Sequence, residues 1–327
     1  MTTMPAARVV CLRPEADFAA VGAMPSDALE VEYLADEKSL DAVGPEVAGL
    51  VLPSAGAAVP SELFATASGL RIVQFTGAGT DRVAPGALPE GCVVCNVPGA
   101  SAPDVAAYVV LAAGTLLRRL LWGDALMREG RYGEARAALV PAKVRGFRGL
   151  RVGIVGFGDI GIHAARLFEV LGCEIAYSDP VPPARAEAAR YPRMDLGELC
   201  TFAELLTVHV PLSEATRGLI GGDELAALGA KAVLVNAARG GVVDEAALVE
   251  ALDAGQLRGV ALDVYGDEPL PSDSPLLAAA ERHRDKTLLT PHVAGVTPEA
   301  SRVLFATAWA NVEAVLVDRA APEHEVR

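Results

Sequence analysis

The chain has 327 residues, 52% of them hydrophobic, 21% charged and only 5% aromatic, which is ample for one large domain or two ordinary ones and unlike a disordered segment. Its 42 acidic and 28 basic residues leave a net charge of −14, which opposes the phosphate neutralisation on which nucleic-acid binding depends, so no nucleic-acid partner is expected. Five cysteines, an odd number, favour reduced thiols over a disulfide framework, and the N-terminus shows no secretory pattern; both point to the cytoplasm.

Short apolar runs bounded by Gly and Pro recur along the first hundred residues: Arg8–Leu12, Leu29–Leu34, Gly49–Pro53, Arg71–Gly77 and Cys92–Val97. Such runs suit a parallel sheet covered on both faces, and they predict one α/β domain. Cys92 and Cys95 have the C-x-x-C spacing of redox and metal sites, but residues three apart on a strand face opposite ways, so core packing is predicted and no metal is expected. A long apolar helix is predicted from about Pro103 to Met127. Its most apolar stretch, Val105–Leu117, is too short to span a bilayer and runs into Arg118 and Arg119, so no membrane segment is expected. A second series of strands follows at Arg151–Gly156, Glu174–Asp179, Leu205–Pro211, Ala232–Ala238, Gly259–Tyr265 and Lys286–His292, with helical connections. Six such strands match a doubly wound, dinucleotide-binding sheet. A final helix, Pro298 to about Asp318, is free to pack back on the first domain.

The chemistry begins at Gly156-Phe157-Gly158-Asp159-Ile160-Gly161. Alone, G-x-G-x-x-G is a weak signal; directly after a strand and opening a helix it is a dinucleotide fingerprint. Gly156 permits the tight turn, Gly158 lets the backbone approach a pyrophosphate, and Gly161 lets helix and strand pack closely. Asp179, eighteen residues past Gly161, ends the next strand. Its carboxylate is placed to accept ribose hydroxyls and to repel a 2′-phosphate, favouring NAD, as NADH, over NADPH. At the ends of later strands stand Arg239, Glu268 and His292. A guanidinium can hold a carboxylate in bidentate fashion, and a carboxylate beside an imidazole fixes its tautomer and raises its pKa, so these three form an acid/base site plan.

With these residues the sequence resembles the D-isomer-specific 2-hydroxyacid dehydrogenase family, from about Gly49 to the last helix. The resemblance rests on LRVGIVGFGDIG, TVHVPLSEATRGLI, VNAARGGVVDEAAL, GVALDVYGDEPLP and LLTPHVAGVT, in the family order. It implies a Rossmann-type doubly wound sheet, residues 103–296, inserted into a flavodoxin-like α/β substrate domain made of 1–102 and 297–327. It implies that Arg239 binds the substrate carboxylate and polarises the carbonyl, that His292 donates the proton, and that Glu268 supports it. Asp263 matches the family's nicotinamide-facing carboxylate; Ala237, Ala238 and Gly295 match backbone cofactor contacts; His209, Pro211 and Thr216 border the adenosine. TGAGTD matches the second substrate loop, whose Ala78 and Gly79 amides would grip the carboxylate from the other domain.

Departures narrow the substrate. Phosphoglycerate dehydrogenases carry Arg and Lys after the third strand where this chain has Pro53 and Ala57, and no Lys or Arg lies between Glu46 and Arg71. Phosphite dehydrogenases have Lys where Ala78 stands, formate dehydrogenases pair the histidine with Gln, and the family usually has Glu where this chain has Ala107. The expected activity is reduction of a small anionic 2-keto acid to a D-2-hydroxy acid. The alternatives are a non-catalytic NAD-sensing interaction protein on the same fold and a dehydrogenase of another anion, such as a phosphonate. The helix after Pro103 and the arm Gly123–Gly149 match the segments through which the family forms dimers, so a homodimer is expected.

Overall fold

The computed structural model describes residues 6–34, 43–84, 86–140, 144–181 and 186–326. In chain order its elements are β1 (Ala7–Cys11), α1 (Glu15–Val21), β2 (Leu29–Tyr33), β3 (Gly49–Leu52), α2 (Glu62–Thr66), β4 (Ile72–Phe75), β5 (Val93–Cys95), α3 (Ala102–Leu117), α4 (Leu120–Arg128) and α5 (Tyr132–Leu139). There follow β6 (Arg151–Val155), α6 (Asp159–Val170), β7 (Glu174–Ser178), α7 (Leu196–Phe202), β8 (Leu205–Val208), α8 (Gly222–Leu228), β9 (Val233–Asn236), α9 (Glu245–Asp253), β10 (Gly259–Leu262), α10 (Pro275–Arg282), β11 (Thr287–Leu289) and α11 (Pro298–Glu313). They divide into two compact units, Met1–Ser101 with Val296–Arg327, and Ala102–Gly295.

In the first unit the sheet order is β2-β1-β3-β4-β5, all parallel, the flavodoxin-like order. Side chains alternate between its two faces. Val9, Cys11, Val51, Ile72 and Cys95 pack with Phe18, Phe305 and Trp309, whereas Val10, Leu50, Leu52, Val73 and Phe75 pack with Phe64. Cys92 joins the second group and Cys95 the first, the opposed facing predicted for the C-x-x-C pair. Burial pushes the Cys95 thiol up to about 12 and Cys92 to about 11, so neither is a thiolate near neutral pH. The helical run Pro298–Asp318 is long and apolar enough to cross a membrane. Here its Phe305, Trp309, Val312 and Leu316 are buried in this unit's core, with Phe18 4.6 Å from Phe305.

The second unit has the order β11-β10-β9-β8-β6-β7, all parallel. A single parallel bridge from Tyr177 to Arg193 extends it beyond β7, so the third strand of the doubly wound pattern is reduced to one residue. The strand order reverses between β6 and β8, where such sheets bind their ligands. Every residue of β8, β9 and β10 is buried, which is why these strands read as apolar runs interrupted only by Thr207 and Asn236.

One expectation fails. The helix predicted from Pro103 to Met127 is two helices, α3 and α4, meeting at 59°. Arg119 adopts a left-handed φ of 53° at the break, pairs with Asp285 at 2.8 Å and lies over the Trp122 ring. α3 buries Val105, Ala106, Val109, Ala112, Ala113, Leu116 and Leu117, whereas α4 buries only Leu126. The apolar run is thus cut where its charge is claimed by a partner 166 residues away.

Candidate active site

The glycine turn is shaped by contacts that exclude side chains. Gly156 has φ +86°, and a Cβ there would lie 2.6 Å from the His209 carbonyl oxygen, so only glycine lets the end of β6 pass this close to the end of β8. A Cβ on Gly161 would lie 2.4 Å from the Gly156 carbonyl oxygen, so α6 can seat against the turn only without one. At Gly158 the space is open: a Cβ would meet no atom of the described residues within 4 Å. The N-terminus of α6, which carries no side-chain cap at Gly158, opens onto this space, which fits the pyrophosphate of a dinucleotide. Asp159 and Ile160 form the first turn of that helix, and Ile160 packs on the core behind it. Phe157 stacks on Tyr177 at 4.1 Å, anchoring the turn from beneath.

Beside the turn lies a cavity of about 1020 Å³ whose walls include Gly158, Asp179, Arg193, His209, Pro211 and Thr216. Asp179 stands at its rim with both oxygens engaged: Oδ2 accepts from the Phe157 amide (2.8 Å) and Oδ1 from the Val181 amide (3.0 Å). The carboxylate therefore ties the loop after β7 to the glycine turn, using one lone pair of each oxygen. Arg193 donates to the carbonyls of Asp179 (2.9 Å) and Pro180 (3.0 Å), bringing a cation to the same rim. The sequence carried no signal for Arg193, because a strand of one residue has no pattern to read. Thr216 Oγ1 donates to the Pro211 carbonyl at 2.6 Å and accepts from the Ser213 amide at 2.8 Å, closing the turn that forms the far wall. His209 meets Thr207 Oγ1 through Nε2 at 2.9 Å, while its buried Nδ1 has no hydrogen-bond partner among the described residues. Burial lowers its pKa to about 3, which keeps the ring neutral.

The polar residues at the ends of β9, β10 and β11 converge. Asn236, the last residue of β9, is 2% exposed; its Oδ1 accepts from the Ala238 amide and its Nδ2 donates to the Arg239 carbonyl. This clamp shapes the turn carrying Ala237, Ala238 and Arg239. A Cβ on the next residue, Gly240, would lie 1.7 Å from the Tyr265 carbonyl oxygen, so the arginine turn rests directly on the loop that leads to Glu268. Glu268 Oε1 accepts from the Tyr265 amide at 3.1 Å, and Oε2 meets His292 Nδ1 at 2.8 Å. Burial pushes Glu268 up, but the hydrogen bond and charge of His292, the Tyr265 amide and the Arg239 guanidinium outweigh it and hold the carboxyl below its ordinary range. An ionised Glu268 can only accept, so Nδ1 carries a proton and Nε2 is the ring atom left for a substrate.

His292 sits at a left-handed φ of 53°, unusual for a residue with a side chain. Asp263, 1% exposed just past β10, holds it there: its carbonyl accepts from the His292 amide, Oδ1 from the Val293 amide (2.9 Å) and Thr290 Oγ1 (2.6 Å), and Oδ2 from the Ala294 amide (2.8 Å). The carboxylate that matches a nicotinamide-facing group thus spends three hydrogen bonds on the loop carrying His292. Half-buried Gly295 follows that loop. Ala78 and Gly79 belong to the first unit, in the loop after β4, where Asn96 Nδ2 donates to the Ala78 carbonyl at 2.7 Å. Asn236, Thr290 and Tyr108 are further residues of this site that sequence reasoning missed. Only Asn236 left a trace, as a lone polar residue closing an apolar strand.

Comparison with known proteins identifies the family and the fold. Residues 110–294 match the family model described as D-isomer specific 2-hydroxyacid dehydrogenase, NAD binding domain. A hydroxypyruvate reductase of Thermotoga maritima is 33% identical over 285 residues, 85% of this chain and 88% of that protein. A D-3-phosphoglycerate dehydrogenase of Archaeoglobus fulgidus is 34% identical over 244 residues, 74% of this chain but 44% of that protein. The chain spans about half the length of the phosphoglycerate dehydrogenases it matches. Among solved structures, an NADPH-dependent glyoxylate/hydroxypyruvate reductase of Sinorhizobium meliloti superposes with a TM-score of 0.82 at 27% identity, covering 99% of this chain and 97% of that one.

Proposed function

Since the chain belongs to the D-isomer-specific 2-hydroxyacid dehydrogenase family, we infer that it reduces a small, unphosphorylated 2-keto acid to the D-2-hydroxy acid, with NADH as the electron donor. The observation that carries this reading is the 2.8 Å pair between an ionised Glu268 and His292 Nδ1, beside the Arg239 turn. The glycine turn and the N-terminus of α6 would hold the pyrophosphate of a reduced nicotinamide dinucleotide, which would supply the hydride needed at C2 of the keto acid. Arg239 holds the substrate carboxylate and draws charge from the adjacent carbonyl. His292 Nε2 delivers a proton to the carbonyl oxygen as C2 is reduced, and Glu268 keeps the ring oriented and offsets its charge. Holding the two partners in register supplies the remainder of the rate.

The preference for an unphosphorylated substrate is supported by the loop after β3. The arginine packed against it, Arg82, is 3% exposed and donates to the carbonyls of Pro53 (2.9 Å) and Ala57 (2.7 Å). Its charge braces that loop from within, and a phosphate ester there would lack a surface cation. Preference for NADH rests on Asp179, whose carboxylate opposes a 2′-phosphate. Dimerisation is supported by α3, α4 and α5, which expose Leu111, Leu120, Leu121, Met127 and Tyr132, with Val140 just beyond; residues 141–143 of the arm lie outside the described residues. Light scattering should give twice the chain mass. The central test is a panel of 2-keto acids with NADH and with NADPH. Turnover of pyruvate-sized or hydroxypyruvate-sized acids with NADH supports the reading. NADH binding by calorimetry with no turnover of any acid would overturn it in favour of a sensor.

A further inference from the structure

We propose that Tyr108, on α3, is a positioning residue for the reaction: through Thr290 and Asp263 it clamps the loop that carries His292. The inference rests on the reading of His292 as proton donor and extends it to a residue that touches neither substrate nor cofactor.

The argument starts from donor counting. Tyr108 Oη lies 2.6 Å from Thr290 Oγ1, which lies 2.6 Å from Asp263 Oδ1. Thr290 Oγ1 donates its single hydroxyl proton to Asp263 Oδ1, so Thr290 must accept from Tyr108. Burial pushes the Tyr108 phenol upward, so it stays protonated and remains a donor. The chain therefore has one direction, Tyr108 to Thr290 to Asp263. Its end point is the carboxylate that also receives the amides of Val293 and Ala294, while the Asp263 carbonyl receives the amide of His292. A second phenol, Tyr265, donates to the Thr290 carbonyl at 2.8 Å, so Thr290 is fixed through both its backbone and its side chain.

This arrangement has a purpose only if the loop needs holding. His292 has a left-handed φ, a conformation that costs free energy for a side chain other than glycine and persists where its surroundings impose it. Asp263 imposes it from β10, and Tyr108 adds a tie from α3, a rigid helix with eight buried residues. Without that tie, Thr290 Oγ1 is free to rotate and the anchor on Asp263 Oδ1 loosens. The imidazole then spends less time at 2.8 Å from Glu268, so proton delivery suffers while carboxylate and cofactor binding do not.

The test is Tyr108→Phe, which removes one oxygen and keeps the ring. Three results are expected: kcat for the best keto acid falls about tenfold; KM for that acid and the affinity for NADH stay within about twofold; and amide hydrogen exchange in the peptide spanning 288–296 accelerates. Tyr33→Phe, at a buried hydroxyl in the other unit that has no hydrogen-bond partner among the described residues, serves as the control and should change none of these. Thr290→Val should lower kcat comparably, and adding Tyr108→Phe to it should lower kcat no further, because the two residues act in one chain. A merely structural role would lower the melting temperature and leave kcat unchanged; that result overturns the proposal, as does additivity in the double variant. If the wild-type protein reduces no keto acid, the proposed function fails. The exchange measurement still decides whether Tyr108 clamps the loop, since unchanged exchange in Tyr108→Phe refutes the clamp.

Discussion

The three glycines of the turn after β6 make a separable prediction, because they meet different surroundings. Gly158 has φ −76° and ψ −154°, a conformation open to any residue, and an added Cβ would meet no atom of the described residues within 4 Å. Alanine there replaces a glycine at a helix N-cap, which should cost under about 1 kcal/mol, a melting-temperature loss of roughly 2–4 °C at most. The same methyl stands in the open space before the N-terminus of α6. If a pyrophosphate occupies that space, it is pushed off about two amide donors, at ~1.5 kcal/mol each. The Kd for NADH should then rise on the order of a hundredfold. Gly161→Ala behaves otherwise. Its methyl would sit 2.4 Å from the Gly156 carbonyl oxygen, so α6 must retreat by roughly 1 Å, with an overpacking cost of about 1–3 kcal/mol only partly offset by the better helix propensity of alanine. Gly161→Ala should therefore lose both thermal stability and NADH affinity, whereas Gly158→Ala loses affinity almost alone. Calorimetry with NADH and a melting curve on each ligand-free variant separate the two. Should Gly158→Ala bind NADH within about threefold of wild type, the pyrophosphate does not lie where the turn places it, and the cofactor assignment collapses.

Three further outcomes follow from the same geometry. His292→Ala should lower keto-acid reduction by about a hundredfold or more while leaving NADH affinity intact, and Glu268→Gln, which keeps a polar partner but not its charge, should lower it less; equal activity of His292→Ala and wild type in stopped-flow NADH oxidation would remove the histidine from the mechanism. His209 is neutral and buried with a folded pKa near 3, against 6.5 for the free side chain, so the unfolded chain binds a proton that the folded one refuses between those values. Stability should therefore fall as pH drops below about 6.5, by up to ~1.4 kcal/mol per pH unit, and denaturant titrations of His209→Asn should show a flatter dependence between pH 6 and pH 4. Asp179→Asn should narrow the preference for NADH over NADPH, because Arg193 remains at the same rim to meet a 2′-phosphate; a ratio of kcat/KM values that stays fixed would show that Asp179 is only a loop tie.

The parallel strands were readable because their physics is local. A strand buried on both faces must be largely apolar, and β8, β9 and β10 are, with only Thr207 and Asn236 as polar exceptions, so their runs mark themselves without knowledge of neighbours. The glycine turn was readable for a related reason: a backbone that must pass 2.6 Å from where a Cβ would lie can tolerate one residue type only. Arg239, Glu268 and His292 stood out as charged or titratable residues at the ends of such strands, where ligands of open α/β sheets collect.

What the sequence could not convey are the partnerships. The break between α3 and α4 depends on Asp285 reaching Arg119. The clamp on the histidine loop joins Tyr108 to Thr290 across 182 positions and Thr290 to Asp263 across 27. Arg193 reaches the rim of the cavity beside the glycine turn from a strand one residue long. Each is a polar contact whose worth depends on what faces it after folding, and no periodicity records that. Sequence alone thus settled which residue types could carry the chemistry and on which strand ends they stand. The tertiary structure decided how they are held, because hydrogen bonds are directional and their partners are brought together only when the sheet closes its register.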